Sequence, residues 1–183
     1  MSRLTQPVGP GDHVKGASDA RVSIVEYVDY ECPFCARAHG VVSEVMDRVG
    51  DEACLLVRHF PLSQIHPHAL DAAQAAEAAG AQGFFWAMHS LLFENQRALD
   101  FDALVIYADV LGLDVPRFTS ELRNATHLAK IQSDFKSGVR SGVNGTPTFF
   151  VDGERLDRGW DAFTLMAAIR DRPHASQDRP HAR

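Results

Sequence analysis

The sequence predicts an α/β fold, a mixed central sheet flanked by helices and interrupted by an all-helical block. Three observations carry this. Val22-Ser23-Ile24-Val25-Glu26-Tyr27-Val28 and Ala53 to Phe60 are short apolar runs rich in β-formers, the pattern of strands buried on both faces. From Pro67 to Gly142 the apolar period is helical throughout. Thr148-Phe149-Phe150-Val151 then returns to the strand pattern, before a last helical segment. The resulting order, β-α-β, helical block, β-β-α, is satisfied by one sheet covered on both faces.

Residues 1–11, rich in Gly and Pro from Pro7 onward, are expected to form a flexible arm. The first part of the fold takes 12–66. After the first strand a helix is expected to about Val49, with Val42, Val45, Met46 and Val49 on one face and Gly50 as its stop. It returns to the second strand as a right-handed crossover, making a parallel pair. The helical insertion takes 67–142. Its first helix sets a polar stripe of Asp71, Gln74 and Glu77 on an Ala-rich body. A second helix from Gly83 to Glu94 carries Phe85, Met88 and Leu92. Asp100 caps a third, with Phe101, Leu104, Val105, Ala108 and Leu111 on one face, and Asp114 caps a short fourth. The last is expected to bury Leu128, Ile131, Phe135 and Val139 and to end near Gly142. In the final part, 143–171, Asp152-Gly153 reads as a tight hairpin turn into a strand from Glu154 to Arg158, and Asp161 caps a helix with Phe163, Met166, Ala167 and Ile169. The tail, 172–183, repeats Arg-Pro-His-Ala and has no apolar face to bury, so disorder is expected. Its two isolated histidines, His174 and His181, are too few for a metal site.

At 183 residues and 45% hydrophobic, the chain is long and apolar enough for one domain with a sizeable insertion. Net charge is −6 and the basic residues are scattered, so no nucleic-acid footprint is present. No apolar run reaches the ~20 residues of a membrane helix. The start, Met1 to Pro7, lacks the apolar stretch of a secretory signal, so a cytoplasmic product is expected, or an extracytoplasmic one had a leader been trimmed. Three cysteines cannot make a disulfide scaffold of this size. Two of them stand in Cys32-Pro33-Phe34-Cys35, a spacing that reads as redox or metal chemistry.

Residues three apart at a helix start share a face, so two sulfurs there can reach the ~2.05 Å of a disulfide bond without backbone movement. The first cysteine also meets free N–H groups and the positive end of the helix dipole, which stabilise a thiolate. Cys32 is therefore the expected exposed nucleophile and Cys35 the shielded resolving thiol. Pro33 fits the first turn, where its missing donor costs nothing. The rival reading is zinc, with His39 completing Cys-x-x-Cys-x-x-x-His. A structural zinc site needs four ligands, and His59 or Cys54 would have to close it. Otherwise Cys54 reads as a core thiol. Glu26, near the end of a buried strand, is open to two readings. One is a buried acid with a raised pKa that relays protons for Cys35; the other is a strand-end side chain reaching solvent. Pro147 opens a strand that reads as buried, where proline is normally excluded. A cis Thr146–Pro147 bond would resolve this and free the Thr146 backbone to pair with an extended substrate.

Taken together, Glu26-Tyr27-x-Asp29-Tyr30-x-Cys32-Pro33-Phe34-Cys35, the helical block and Gly145-Thr146-Pro147-Thr148-Phe149-Phe150-Val151-x-Gly153 resemble the DsbA-like branch of the thioredoxin superfamily. His59-Phe60-Pro61-Leu62, His66-Pro67 and Phe85-Trp86-x-Met88-His89 are similar to its bacterial members, including the extracytoplasmic disulfide-forming proteins of Gram-positive bacteria. The resemblance runs from about Asp12 to Asp171. It implies a thioredoxin fold with a helical insertion, a catalytic disulfide at Cys32–Cys35 and a cis-proline at Pro147 beside it. It also implies a buried acid at Glu26 beneath the site, and a Thr146 that faces the disulfide and tunes substrate release.

The founder of the family has Pro-His where this chain has Pro33-Phe34. Losing that imidazole implies a less acidic Cys32 and a potential between about −120 mV for the founder and about −270 mV for thioredoxin. In a cytosolic thiol pool such a pair would sit reduced and act as reductase or isomerase. Glutaredoxins share Cys-Pro-aromatic-Cys but are shorter and lack the helical block.

The expected activity is disulfide exchange with protein or small-thiol substrates. Cys32, Cys35 and Glu26 would be catalytic, with Pro33, Phe34, Thr146 and Pro147 as the substrate-binding face. The cysteines themselves carry the electrons, so no cofactor or metal is called for. A redox recycling partner is expected, and neither nucleic acid nor membrane. The alternatives are a glutathione-type low-molecular-weight thiol reductase and a non-catalytic zinc or binding module.

Overall fold

In the computed structural model, residues 2–172 are described. Five strands, β1 (His13–Lys15), β2 (Val22–Val28), β3 (Ala53–His59), β4 (Thr148–Val151) and β5 (Glu154–Arg155), form one mixed sheet. Their order across it is β1-β3-β2-β4-β5. The chain crosses from β2 to β3 through α1 (Pro33–Val49), and the pair is parallel, with Glu26 opposite Val57. β4 lies antiparallel on the other side of β2 and sets Phe149 opposite Glu26. Between β3 and β4 come α2 (Ala69–Gly80), α3 (Phe85–Glu94), α4 (Phe101–Val110), α5 (Val115–Arg123) and α6 (Leu128–Arg140), and α7 (Ala162–Arg170) closes the fold. This is the mixed sheet with a helical insertion that the sequence predicts.

Strand alternation divides the interior into two cores. Ile24 and Val28 face Cys35, Ala38, Val42 and Val45 of α1, together with α2, α3 and α7. Val25, Tyr27, Leu56 and Phe150 face the opposite way, onto Phe60 and the ring of Phe135 from α6. Glu26 has the parity of Ile24 and Val28, so its carboxyl is held under α1. The Asp152-Gly153 turn has positive φ at both residues (47° and 76°), the left-handed geometry that closes a two-residue hairpin. β5 is shorter than the strand expected to Arg158.

The structure corrects three further expectations. The arm, described from residue 2, does not hang loose. Arg58, a guanidinium buried in β3, donates to both carboxylate oxygens of Asp12 at 2.8 and 2.9 Å, and to the carbonyls of Gln6 and Pro7 at 2.9 Å each. A charge so buried needs such partners, and the arm supplies them. That docking also delivers His13–Lys15 to the sheet edge as β1, a strand too short to be signalled by pattern.

The supposed polar stripe of α2 is largely interior, since Gln74 and Glu77 are buried. Glu77 accepts from His59 at 2.8 Å and from His13 at 3.0 Å, which is why it tolerates burial.

Finally, α6 is rotated from its apolar stripe. Val139 is exposed, while Asp134, Ser137 and Gly138 face inward with Ile131. Gly138 is the pivot: a Cβ there would meet Phe60 at 2.7 Å, so only glycine lets the helix approach. Ser137 then hydrogen-bonds Tyr27 at 2.7 Å, and Asp134 accepts the His59 amide at 3.1 Å. The expectation for the tail falls, beyond Arg172, outside the described residues.

Candidate active site

Cys32 is the N-cap of α1 and Pro33 its first helical residue, so Cys35 lies one turn in. The Cys32 amide donates to the Asp29 carbonyl at 3.2 Å, closing the turn out of β2, and the Cys32 carbonyl accepts the Cys35 amide at 3.0 Å. Cys35 is fully buried. Cys32 is not the freely exposed thiol expected, since only 4% of its surface meets solvent. Its cover includes the β4 side of the sheet. The Thr146–Pro147 bond is cis, and the Thr146 carbonyl oxygen lies 3.3 Å from Cys32 Sγ. Phe34 is 52% exposed at the rim, with the Arg37 guanidinium over its ring at 4.6 Å.

The electrostatics separate the two thiols. Cys32 is brought down to about 5. The neighbouring Cys35 thiol is the largest single cause, against the opposing effect of burial. Thr146 and the amides of Cys35 and Phe34 add to it. This value lies between the ~3.5 of the strongest oxidant of this class and the ~7 of thioredoxin. Replacing the imidazole by Phe34 thus leaves a thiolate held by the helix start. Cys35 is pushed far above an ordinary thiol, first by burial, then by its donation to Cys32 and by the charge of Glu26. Glu26 is 2% exposed and is raised to about 8 by burial. One of its carboxyl oxygens, Oε1, is buried without a hydrogen-bond partner. The strand-end reading, with Glu26 in solvent, does not survive this burial.

Three further residues shape the site, and of these only Asp29, as part of the motif around the dithiol, is marked in the sequence. Gln96, in the α3–α4 connection, donates to the carbonyls of Tyr30 and Cys32 at 2.7 and 2.9 Å, pinning the active-site turn from the helical insertion. Asp29 accepts from the amides of Glu31 and Leu62 and from His66, each at 2.8 Å. Glu31 accepts the His68 amide at 2.7 Å. Apart from the Asp29–Glu31 contact, these pairings span segments far apart in the chain, where local periodicity is silent.

The zinc reading would gather His39, His59 or Cys54 onto the dithiol. Cys54 instead belongs to the core on the opposite face of the sheet from Cys35. His39 packs against the rings of His89 and Phe93, each 5.1 Å away. His59 belongs with Glu77 and Asp134, which lie close enough together to hold an ion. That cluster includes neither Cys32 nor Cys35, and its charges are already spent. Lys130 sits 2.6 Å from Asp134, and Glu77 is shared by two histidines.

A family model described as Thioredoxin matches residues 9–171. Among curated proteins, the Na(+)/H(+) antiporter NhaA of Herminiimonas arsenicoxydans is 43% identical over 167 residues, covering 91% of this chain and 26% of that protein. NhaA 1 of Mycobacterium sp. (strain KMS) is 42% identical over 169 residues, covering 91% and 28%. The chain thus spans about a quarter of the length of these relatives. Among solved structures, a thioredoxin-like oxidoreductase from Silicibacter pomeroyi DSS-3 is 27% identical with a TM-score of 0.80, over 88% of this chain and 92% of that one. BdbD from Bacillus subtilis, in its oxidised form, has a TM-score of 0.83 at 22% identity, over 92% and 96%, a likeness of fold.

Proposed function

The chain belongs to the thioredoxin family, in the fold of its DsbA-like members, and from that premise we propose that it is a thiol–disulfide oxidoreductase acting on disulfides of protein or small-thiol partners. The observation that carries the reading is the divergence of two thiols one turn apart, Cys32 ionised near neutral pH and Cys35 protonated. The Cys32 thiolate attacks a substrate disulfide and expels one substrate thiolate. Cys35 then gives its proton to the Glu26 carboxylate and attacks Cys32 Sγ. The mixed disulfide breaks and its electron pair leaves on the second substrate sulfur, which is protonated from solvent. Two electrons pass from the dithiol to the substrate, and a recycling partner or thiol pool reverses the step.

The small part of Cys32 that meets solvent, the exposed Phe34 beside Pro33, and the Thr146-Pro147 segment support an extended peptide as substrate. Such a segment would lie along Thr146 with its sulfur over Cys32. The antiport named in the curated relatives is not proposed here, because the match takes in about a quarter of their length and the site is built for sulfur chemistry.

Equilibration against glutathione tests the reading. A reversible two-electron couple between about −270 and −120 mV is expected, the interval that a Cys32 value between those of thioredoxin and the strong oxidants implies. A pair that stays unoxidised across that range would refute it.

A further inference from the structure

Glu26, whose Oε1 has no hydrogen-bond partner, lines a small cavity of about 10 Å³, roughly the room one water needs. The polar residues lining it are Lys15 of β1, His39 and Ser43 of α1, and Trp86 and His89 of α3. We propose that His39 is the proton exit for Glu26, taking the proton across this cavity and passing it to solvent. The inference rests on the assignment of Glu26 as proton relay and extends it outward.

Chemistry removes the other candidates. Lys15, as an ammonium, has three donors and no acceptor. It stands over the Trp86 ring at 5.7 Å. The Trp86 indole N–H is spent on the Val14 carbonyl at 3.1 Å. His89 is fully enclosed and held neutral, first by burial and then by His39, His59, Lys15 and His13 around it. Its Nδ1 lies 3.0 Å from the Tyr30 hydroxyl. Burial pushes that phenol up, so it stays a donor and Nδ1 accepts. The proton of His89 therefore sits on Nε2, and the ring has no lone pair left for Glu26. The Ser43 hydroxyl can pass a proton but not hold one.

His39 is half-buried, with one side on the cavity and the other toward water. Burial and Lys15 lower it, and Glu94 opposes them, so its ring is neutral near pH 7 and free to accept. Below pH 8 most Glu26 carboxyls carry a proton, which must leave before Cys35 can deliver its own. Above pH 8 Glu26 is already ionised and the exit no longer limits.

The test uses the full reduced protein mixed with oxidised glutathione in stopped flow, where Cys32 attack and Cys35 closure separate as first and second phases. His39→Ala is expected to slow the second phase roughly tenfold at pH 6–7, leave the first unchanged, and lose its deficit above pH 9. Added imidazole should restore the rate. His39→Asn, which keeps a polar side chain but cannot carry a proton, should show the same deficit, separating proton transfer from packing. An undiminished second phase in both variants, alongside a slowed Glu26→Gln, overturns the exit while leaving the relay standing. Unchanged kinetics in Glu26→Gln as well would bring down the relay and the exit together. A deficit in His39→Ala that is flat with pH and deaf to imidazole marks a packing role and also overturns the proposal.

Discussion

The sulfur of Cys32 lies 3.3 Å from the carbonyl oxygen of Thr146, a residue 114 positions away. The two polar ends of Thr146 act on this sulfur in opposite senses. The carbonyl accepts from the thiol and favours the protonated form. The hydroxyl, buried and without a hydrogen-bond partner, favours the thiolate when the sulfur ionises. Thr146→Val keeps the shape and the carbonyl but removes the hydroxyl. Alkylation of Cys32 by iodoacetamide as a function of pH should show a midpoint near 5 in the native protein, raised by up to about one unit in the variant. An unmoved or lower midpoint would show that the hydroxyl plays no part.

Glu26 carries a stability cost whose sign follows from its raised value. Below the unfolded value of 4.5 both states hold the proton and burial costs nothing extra on this account. As pH rises from 4.5 to about 8 the unfolded chain ionises while the folded one does not, so stability falls; beyond 8 the loss is constant. Glu26→Gln removes the titration. It should be more stable than the native protein by roughly 3 kcal/mol at pH 7 in urea unfolding, with the difference vanishing near pH 4. A difference that is the same at pH 4 and pH 7 would mean that Glu26 is ionised in the fold.

The N-terminal arm is predicted to be an integral part of the domain. Asp12→Ala leaves the Arg58 guanidinium buried with carbonyl partners and no counter-charge. Breaking such a pair costs about 3–5 kcal/mol, against at most ~1 for a surface pair. Urea unfolding should register the larger figure, and trypsin should reach Arg3 faster than in the native protein. A loss under ~1 kcal/mol would contradict the buried-clamp reading.

What the sequence disclosed follows from the range of the interactions involved. β2, α1, β3, the hairpin at Asp152-Gly153 and the caps at Asp100, Asp114 and Asp161 rest on local periodicity, turn geometry and side-chain capping, and all are legible in the chain. The dithiol was legible because its chemistry fixes a short spacing. Pro147 stood out because a proline conflicts with a buried strand.

Long-range partners decided the rest. Arg58 stands inside an apolar strand, and nothing local named Asp12 and the Gln6 and Pro7 carbonyls as its partners. Gly138 gave no sign that Phe60 would turn α6 away from its own apolar stripe. Gln96 and the histidines around the Glu26 cavity are ordinary helix and loop residues until the fold brings them to the site.

The central claim, that Cys32 attacks and Cys35 resolves, is tested most directly by trapping. With Cys35→Ser the first step proceeds and the second cannot, so incubation with a disulfide-bonded protein substrate should accumulate a mixed disulfide, visible as a reducible shift on a non-reducing gel. With Cys32→Ser the remaining thiol is buried and pushed far above neutral pH, so little or no adduct should form. Equal trapping by both variants, or trapping only by Cys32→Ser, would contradict the account.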